Sequence, residues 1–392
     1  MSSASVRTIA PLALITCTSM LAMDLYLPAV PNLQAAFGVE VTWAQATIAV
    51  FLAGLAASQL LWAEALNRLG PRQCVRVGLW LLILAAIGCA LAPTIEVLLF
   101  TRLLQGVAAG AATIVSPTVV RAMLSDTDAV RGLAIIGMVE SLVPAIGPVL
   151  GAALLEYTDW RGTFWVLCGL TLLSFPLGLK VTPRELPGMD RTVTATYASI
   201  LTNRRFMRLT LSHALSLGAL LTFVASGPQL VVNMLRLETS AFATLQILGV
   251  ACFIVFASQS GRISHSMGAS RAIQLGAWIQ VILCLVIWLI STVTVVPFTV
   301  VAVFWTAFCG SLAVKGPPIM SEALSLPPVQ MGRASALMVL FILIVGAGGT
   351  QLVAPFMDDA SPAPLLLGMF VACVLSLWLV IPYPHSEPRT ES

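Results

Sequence analysis

Ala63-Glu64-Ala65-Leu66-Asn67-Arg68-Leu69-Gly70-Pro71-Arg72 follows an apolar run at 42–63, and Gly261-Arg262-Ile263-Ser264-His265-Ser266-Met267-Gly268-Ala269-Ser270-Arg271 follows another at 240–259. Both are short basic turns built round a glycine. Gly70 and Gly268 stand 198 residues apart, close to half of the 392-residue chain. A turn that recurs at half-length points to two related halves. Halves of this kind, with a site between them, suit alternating access across a membrane.

Working outward from the two turns, further apolar runs occupy 8–27, 75–92, 97–120, 132–156, 162–179, 207–233, 272–292, 296–320, 334–357 and 363–382. About 20 apolar residues cross a bilayer, so twelve spans are expected. Composition agrees: 58% of residues are hydrophobic and 9% charged, too few charges to coat a soluble surface of this size. The expected fold is all-α and integral to the membrane, with twelve transmembrane helices in two six-helix halves. These are 1–180 and 207–392, joined by a polar, basic central loop at 181–206, with a short tail at the end. The lipid bilayer is the solvent for most of the chain.

Basic residues orient it. With the N-terminus cytoplasmic, 16 of the 20 Lys and Arg fall in cytoplasmic segments. Outside loops hold Arg161 and Arg236, and Arg102 and Lys315 lie inside spans. The positive-inside rule then puts both ends in the cytoplasm of a bacterial inner membrane. The first span has a single basic residue before it and no small-x-small site followed by a polar domain, so it reads as retained rather than cleaved. The eight cysteines are scattered and lack paired metal spacing, so no metal or other cofactor is expected. The net charge of +3 is explained by the inner loops, without nucleic-acid binding. No P-loop is visible, which argues against ATP-driven pumping, and no catalytic triad pattern points to an enzyme.

Met23-Asp24-Leu25-Tyr26-Leu27-Pro28-Ala29-Val30-Pro31 ends the first span. Leu98, Arg102, Gln105, Gly106 and Gly110 mark the fourth, and Pro144, Gly147, Pro148 and Gly151 the fifth. Trp160-Arg161-Gly162-Thr163-Phe164 opens the sixth, and Gly332-Arg333-Ala334-Ser335-Ala336-Leu337 the eleventh. In this order the chain resembles the major facilitator superfamily, and within it the twelve-helix drug:proton antiporters of the bicyclomycin/chloramphenicol-resistance type. The resemblance implies a proton-coupled exporter of small molecules such as drugs, with monomer as the default state. It also implies proton coupling through Asp24 and Arg102. One departure concerns the turn after the second span. The usual Gly and Asp appear as Ala63 and Asn67, and a basic position is Pro71, so the cytoplasmic latch is expected to be weaker or carried by the second copy. The gating turns are Asn67, Arg68, Gly70 and Arg72 with Gly261, Arg262, Gly268 and Arg271.

An ionisable group in hydrocarbon costs at least about 2.5–3.5 kcal/mol and is a functional candidate by default. Asp24, Arg102, Glu140 and Lys315 qualify. Asp24 and Arg102 share a depth near the outer ends of their helices. Either they form an ion pair or hydrogen-bond network that exchanges a proton when substrate competes, or they statically lock two helices. Glu140 and Lys315 share a depth near the inner ends. They read as a clamp for a polar substrate or as a salt bridge that breaks between states. Alternatively Glu140 carries a proton without touching substrate, and Lys315 snorkels to the interface. Tyr26 and Gln105 complete the expected substrate cavity. Pro144, Gly147, Pro148 and Gly151 read as a hinge, as do Ser226-Gly227-Pro228 and Gly316-Pro317-Pro318, while Gly346, Gly348 and Gly349 read as a close-packing face. His213, near the inner end of the seventh span, reads as an interface residue. Two further readings stay open: a dedicated exporter of an endogenous polar metabolite such as a siderophore, and a channel or non-transporting receptor.

Overall fold

A computed structural model describes residues 3–186, 197–357 and 361–381. The middle of the central loop and the C-terminal tail lie outside the described residues. Among the described residues, twelve helices are long and apolar enough to cross a membrane. They are α1 (Ser3–Asp24), α2 (Val41–Leu69), α3 (Pro71–Ala90), α4 (Ile95–Met123), α5 (Asp126–Leu155), α6 (Trp160–Val181), α7 (Arg204–Gln229), α8 (Thr239–Met267), α9 (Ala269–Val293), α10 (Phe298–Ala323), α11 (Pro328–Val353) and α12 (Ala363–Val380). In hydrocarbon a helix satisfies its own backbone, which is why apolar runs of this length fold this way.

The two repeated turns adopt the same conformation. Gly70 has φ +78° and ψ 163°, and Gly268 has φ +85° and ψ 146°. Each ends one helix and starts the next without a spacer, and such a positive φ favours glycine. Elsewhere side chains start the helices: Asp159 accepts from the Arg161 amide at 3.0 Å, and Asn203 from the Phe206 amide at 3.1 Å. Part of the expected central loop is helical, at Tyr197–Leu201. The Pro-Gly stretch of the fifth span does not break α5, which runs unbroken through Pro144 and Pro148. After Pro228 the chain widens into a π turn, Leu230–Met234.

Within the first half, α2 and α4 cross with backbones nearly touching. A Cβ on Gly54 would sit 2.2 Å from the Leu103 carbonyl oxygen, and one on Gly106 2.1 Å from that of Phe51. Small residues permit this approach. The matching crossing, α8 on α10, uses Gly249 against Trp305 and Gly310 against Cys252.

The halves meet through α2 with α11 and α5 with α8. Both ends of the helical bundle's chain lie at one face, the termini face. At the opposite, far face the 3-10 turn Leu27–Ala29 packs on α7, and the 3-10 turn Ala354–Phe356 packs on α2. There Gln34 Nε2 donates to Gln229 Oε1 at 3.0 Å, joining the halves. At the termini face the ion pairs Arg68–Glu64 and Arg205–Glu322 link residues of the same half, and at the far face a side-chain hydrogen bond and both 3-10 turns hold the halves together.

Candidate functional site

α1 stops at Asp24, so its last-turn carbonyls lack helical partners. Arg102, fully buried on α4, takes one of them: Nη1 donates to the Ala22 carbonyl at 2.8 Å and to Gln105 Oε1 at 2.5 Å. Nε donates to the Thr47 carbonyl at 3.4 Å. The guanidinium carbon lies 4.4 Å from the Tyr26 ring centroid and 4.5 Å from that of Phe51, with Phe164 at 5.7 Å. Tyr26 is held in turn by Thr47, hydroxyl to hydroxyl at 2.8 Å. Carbonyls and ring faces thus enclose a cation. One guanidinium nitrogen, Nη2, is buried without a partner.

The expected Asp24–Arg102 ion pair is not made. Asp24, 6% exposed, forms no ion pair or hydrogen bond among the described residues. The Arg102 hydrogen bonds go to the Ala22 and Thr47 carbonyls and to Gln105. Asp24 packs against α5 instead, where a Cβ on Gly147 would sit 2.5 Å from its own Cβ. One turn on, a Cβ on Gly151 would meet the Leu25 carbonyl oxygen at 2.2 Å. In this structure these glycines seat the end of α1.

Glu140 and Lys315 are not brought together either. Glu140 is half-buried on α5 with no ion pair among the described residues. Lys315 is fully buried inside the second half, neither snorkelling nor open to an inter-half cavity. Its Nζ donates to Ser376 Oγ at 2.5 Å, Ser216 Oγ at 2.7 Å and the Ser212 carbonyl at 3.3 Å. Tyr26 and Gln105 likewise serve the Arg102 enclosure rather than lining an open space.

Of the turn residues, Gly70 is buried, and a Cβ there would lie 2.5 Å from the Arg184 carbonyl oxygen, just past α6. Asn67 is half-buried, and Arg68 pairs with Glu64 of its own helix at 2.7 Å. Arg72, Gly261, Arg262, Gly268 and Arg271 are exposed. Of the three clustered glycines near the end of α11, Gly346 abuts Leu221 and Gly349 abuts Thr222. Gly348 faces open space, on a cavity of about 800 Å³ lined by apolar residues of α7, α11 and α12. That cavity lies apart from the four intramembrane charges.

Sequence reading missed Thr47, Phe51 and Phe164 around Arg102, and the serines around Lys315. Ser212 and Ser216, four apart on one helix face, carried a legible signal. In α10, Trp305 is stacked on Phe223 of α7 with centroids 4.3 Å apart.

A family model described as the Major Facilitator Superfamily matches residues 12–350. The multidrug resistance protein MdtL of Escherichia coli O45:K1 (strain S88 / ExPEC) is 28% identical over 371 residues, covering 89% of this chain and 92% of that protein. MdtL of Escherichia coli (strain K12 / DH10B) is 27% identical over the same length. Among solved structures, the E. coli xylose transporter XylE in a partially occluded inward-open conformation matches with TM-score 0.74 and 16% identity, covering 97% of this chain and 98% of that one. A bacterial homologue of the human lysosomal transporter Spinster, inward-facing and occupied, gives TM-score 0.73 at 13% identity, covering 95% and 94%.

Proposed function

Since the chain belongs to the major facilitator superfamily and is a multi-pass inner-membrane protein, we propose that it is a proton-coupled exporter of small molecules working by alternating access. The carrying observation is a pair of complementary vacancies at one end of α1. Among the described residues, the Asp24 carboxyl has no ion-pair or hydrogen-bond partner, and Arg102 Nη2 is a buried donor with no acceptor. A neutral carboxyl tolerates burial alone far better than a carboxylate. Losing the proton would leave a charge that needs the guanidinium, and meeting it requires the end of α1 to turn against Gly147 and Gly151. Proton state and helix position are then one variable, as antiport demands. Glu140, half-buried and without an ion pair, serves as a second acid nearer the termini face.

Both termini are read as cytoplasmic from the basic loops, so the far face is the outer one and this is an inward-facing arrangement. Both intramembrane cations are enclosed, so the charge left without a partner in the membrane is acidic. That favours lipophilic cations or neutral compounds over a zwitterionic metabolite. The E. coli MdtL proteins, named for multidrug resistance, support the same substrate class.

The test is proton release from detergent-solubilised protein on adding lipophilic cations such as tetraphenylphosphonium, comparing wild type with Asp24→Asn and Glu140→Gln. Release in wild type that is lost in Asp24→Asn is the expected outcome. Binding with no proton release in wild type would sink the coupling reading. If Asp24→Asn leaves a polar endogenous compound trapped in cells but drug susceptibility unchanged, the dedicated-exporter reading replaces it.

A further inference from the structure

The chain contains 20 basic residues, and only Lys180 and Lys315 are lysines. Arginine is a permanent cation, whereas lysine can give up its proton inside a protein. One of the two lysines, Lys315, is fully buried inside the second half, while Arg102 is fully buried inside the first.

The two enclosures differ in kind. Arg102 is met by carbonyl oxygens, an amide oxygen and ring faces, all of which accept and none of which can donate to it. Lys315 is met by two hydroxyls and one carbonyl. A hydroxyl both donates and accepts. At present Ser216 Oγ donates onward to Gln280 Oε1 at 2.8 Å, and Ser376 Oγ to the Ser212 carbonyl at 2.8 Å. Three acceptors match the three hydrogens of an ammonium. Rotating either hydroxyl turns it into a donor to the lone pair of an amine. The same cage thus satisfies both protonation states without moving a heavy atom.

No carboxylate pairs with Lys315 among the described residues, and a buried cation without a counter-ion is costly. The titratable groups that face it are His213 of α7, Cys284 of α9 and Cys373 of α12, the two sulfurs lying 3.8 Å apart. From α8, Cys252 faces Gly310, more than a turn away. Backbone packs tightly around the stem: a Cβ on Gly276 would sit 2.7 Å from the Lys315 Cβ. A side chain on Gly276 would therefore displace α9 from the Lys315 stem.

We propose that Lys315 is a second proton-exchanging site, inside the second half and separate from Asp24, which passes its proton through the Ser212–Ser216–Ser376 hydroxyl cage. On release, the N–H bond of the ammonium breaks and the electron pair stays on Nζ. The Ser216 or Ser376 hydroxyl accepts that proton from Nζ and gives up its own, which is taken up by water. The lone pair left on Nζ accepts from a reoriented Ser216 or Ser376 hydroxyl.

Two lysines make the test direct. Protein labelled with ¹⁵N-lysine and held in lipid nanodiscs gives two side-chain signals, assigned with Lys180→Arg. Spectra are recorded over about pH 6–9, below the ordinary lysine range. The expected result is that the Lys315 signal moves between ammonium and amine positions. An ammonium signal for Lys315 throughout would overturn the proposal and leave a fixed structural cation. Potentiometric titration over the same range should give one proton fewer for Lys315→Arg than for wild type, and an equal count overturns it too. Asp24→Asn should leave the Lys315 signal unchanged, so failure of antiport through Asp24 and failure of this site are read separately.

Discussion

Gly147 of α5 lies directly against Asp24 at the end of α1, so close that a Cβ on the glycine would stand 2.5 Å from the Cβ of the acid. Gly151 repeats the contact one turn on, against the backbone of Leu25. Gly137, on the same helix, has nothing within 4 Å of its Cβ position. Gly147→Ala and Gly151→Ala are therefore expected to lower stability by about 1–3 kcal/mol, the range for overpacking, and to slow transport. Gly137→Ala should be neutral. Thermal unfolding of the three variants in one detergent checks the order, and an equal loss at Gly137 would show that the contacts with α1 do not set the effect.

Arg102 caps α1 through the Ala22 carbonyl and is packed between aromatic faces. Arg102→Lys keeps the charge but cannot span Ala22, Gln105 and Thr47 at once. Each buried acceptor left unmade costs about 1–3 kcal/mol. Arg102→Lys should thus fold less stably than wild type, with transport lost. A variant with wild-type stability and transport would show that charge alone suffices there.

In α11, adjacent glycines face opposite fates. A Cβ on Gly349 would come 2.4 Å from Thr222 Oγ1, whereas Gly348 opens on the apolar cavity. Gly349→Leu should destabilise by at least about 1–3 kcal/mol. Gly348→Leu should leave stability unchanged or raise it by filling space. Melting temperatures in the same lipid decide between them, and the reverse order would mean that α11 packs differently.

The hydrogen bond between Gln34 and Gln229 closes the far face between the two halves. In a background without native cysteines, Gln34→Cys with Gln229→Cys should cross-link readily on mild oxidation of resting protein. Added transport substrate and an inward pH gradient should reduce the yield as the face opens. Cross-linking that is absent at rest would place the resting state elsewhere in the cycle.

The spans were legible because lipid demands a long apolar run for each, a signal carried by every residue in it. The half-repeat was legible because Gly70 and Gly268 need a positive φ, which side chains resist. What reading could not reach was the enclosure of each charge. Arg102 takes its acceptors from the backbone at Ala22 and Thr47, and a carbonyl carries no residue identity. Depth along the helices correctly placed Asp24 and Arg102 at one end, yet depth does not say which way a helix is rotated. The same gap misplaced Lys315: its distance from the helix end matched Glu140, but its side chain turns into the serines of α7 and α12. For the Pro-Gly stretch of α5, the residue types suggested bending, while the neighbouring helix makes them a seat.

Among the described residues, the far face is joined by an amide pair and two apolar 3-10 turns, with no ion pair. Added salt has no such pair to screen, and the membrane potential does no work on an amide–amide hydrogen bond when it parts. Separating the halves at that face is consequently governed by temperature and by the lipids pressing on the helices, and transport rates should change little with ionic strength. Voltage can enter the cycle only through charges held deeper in the bundle.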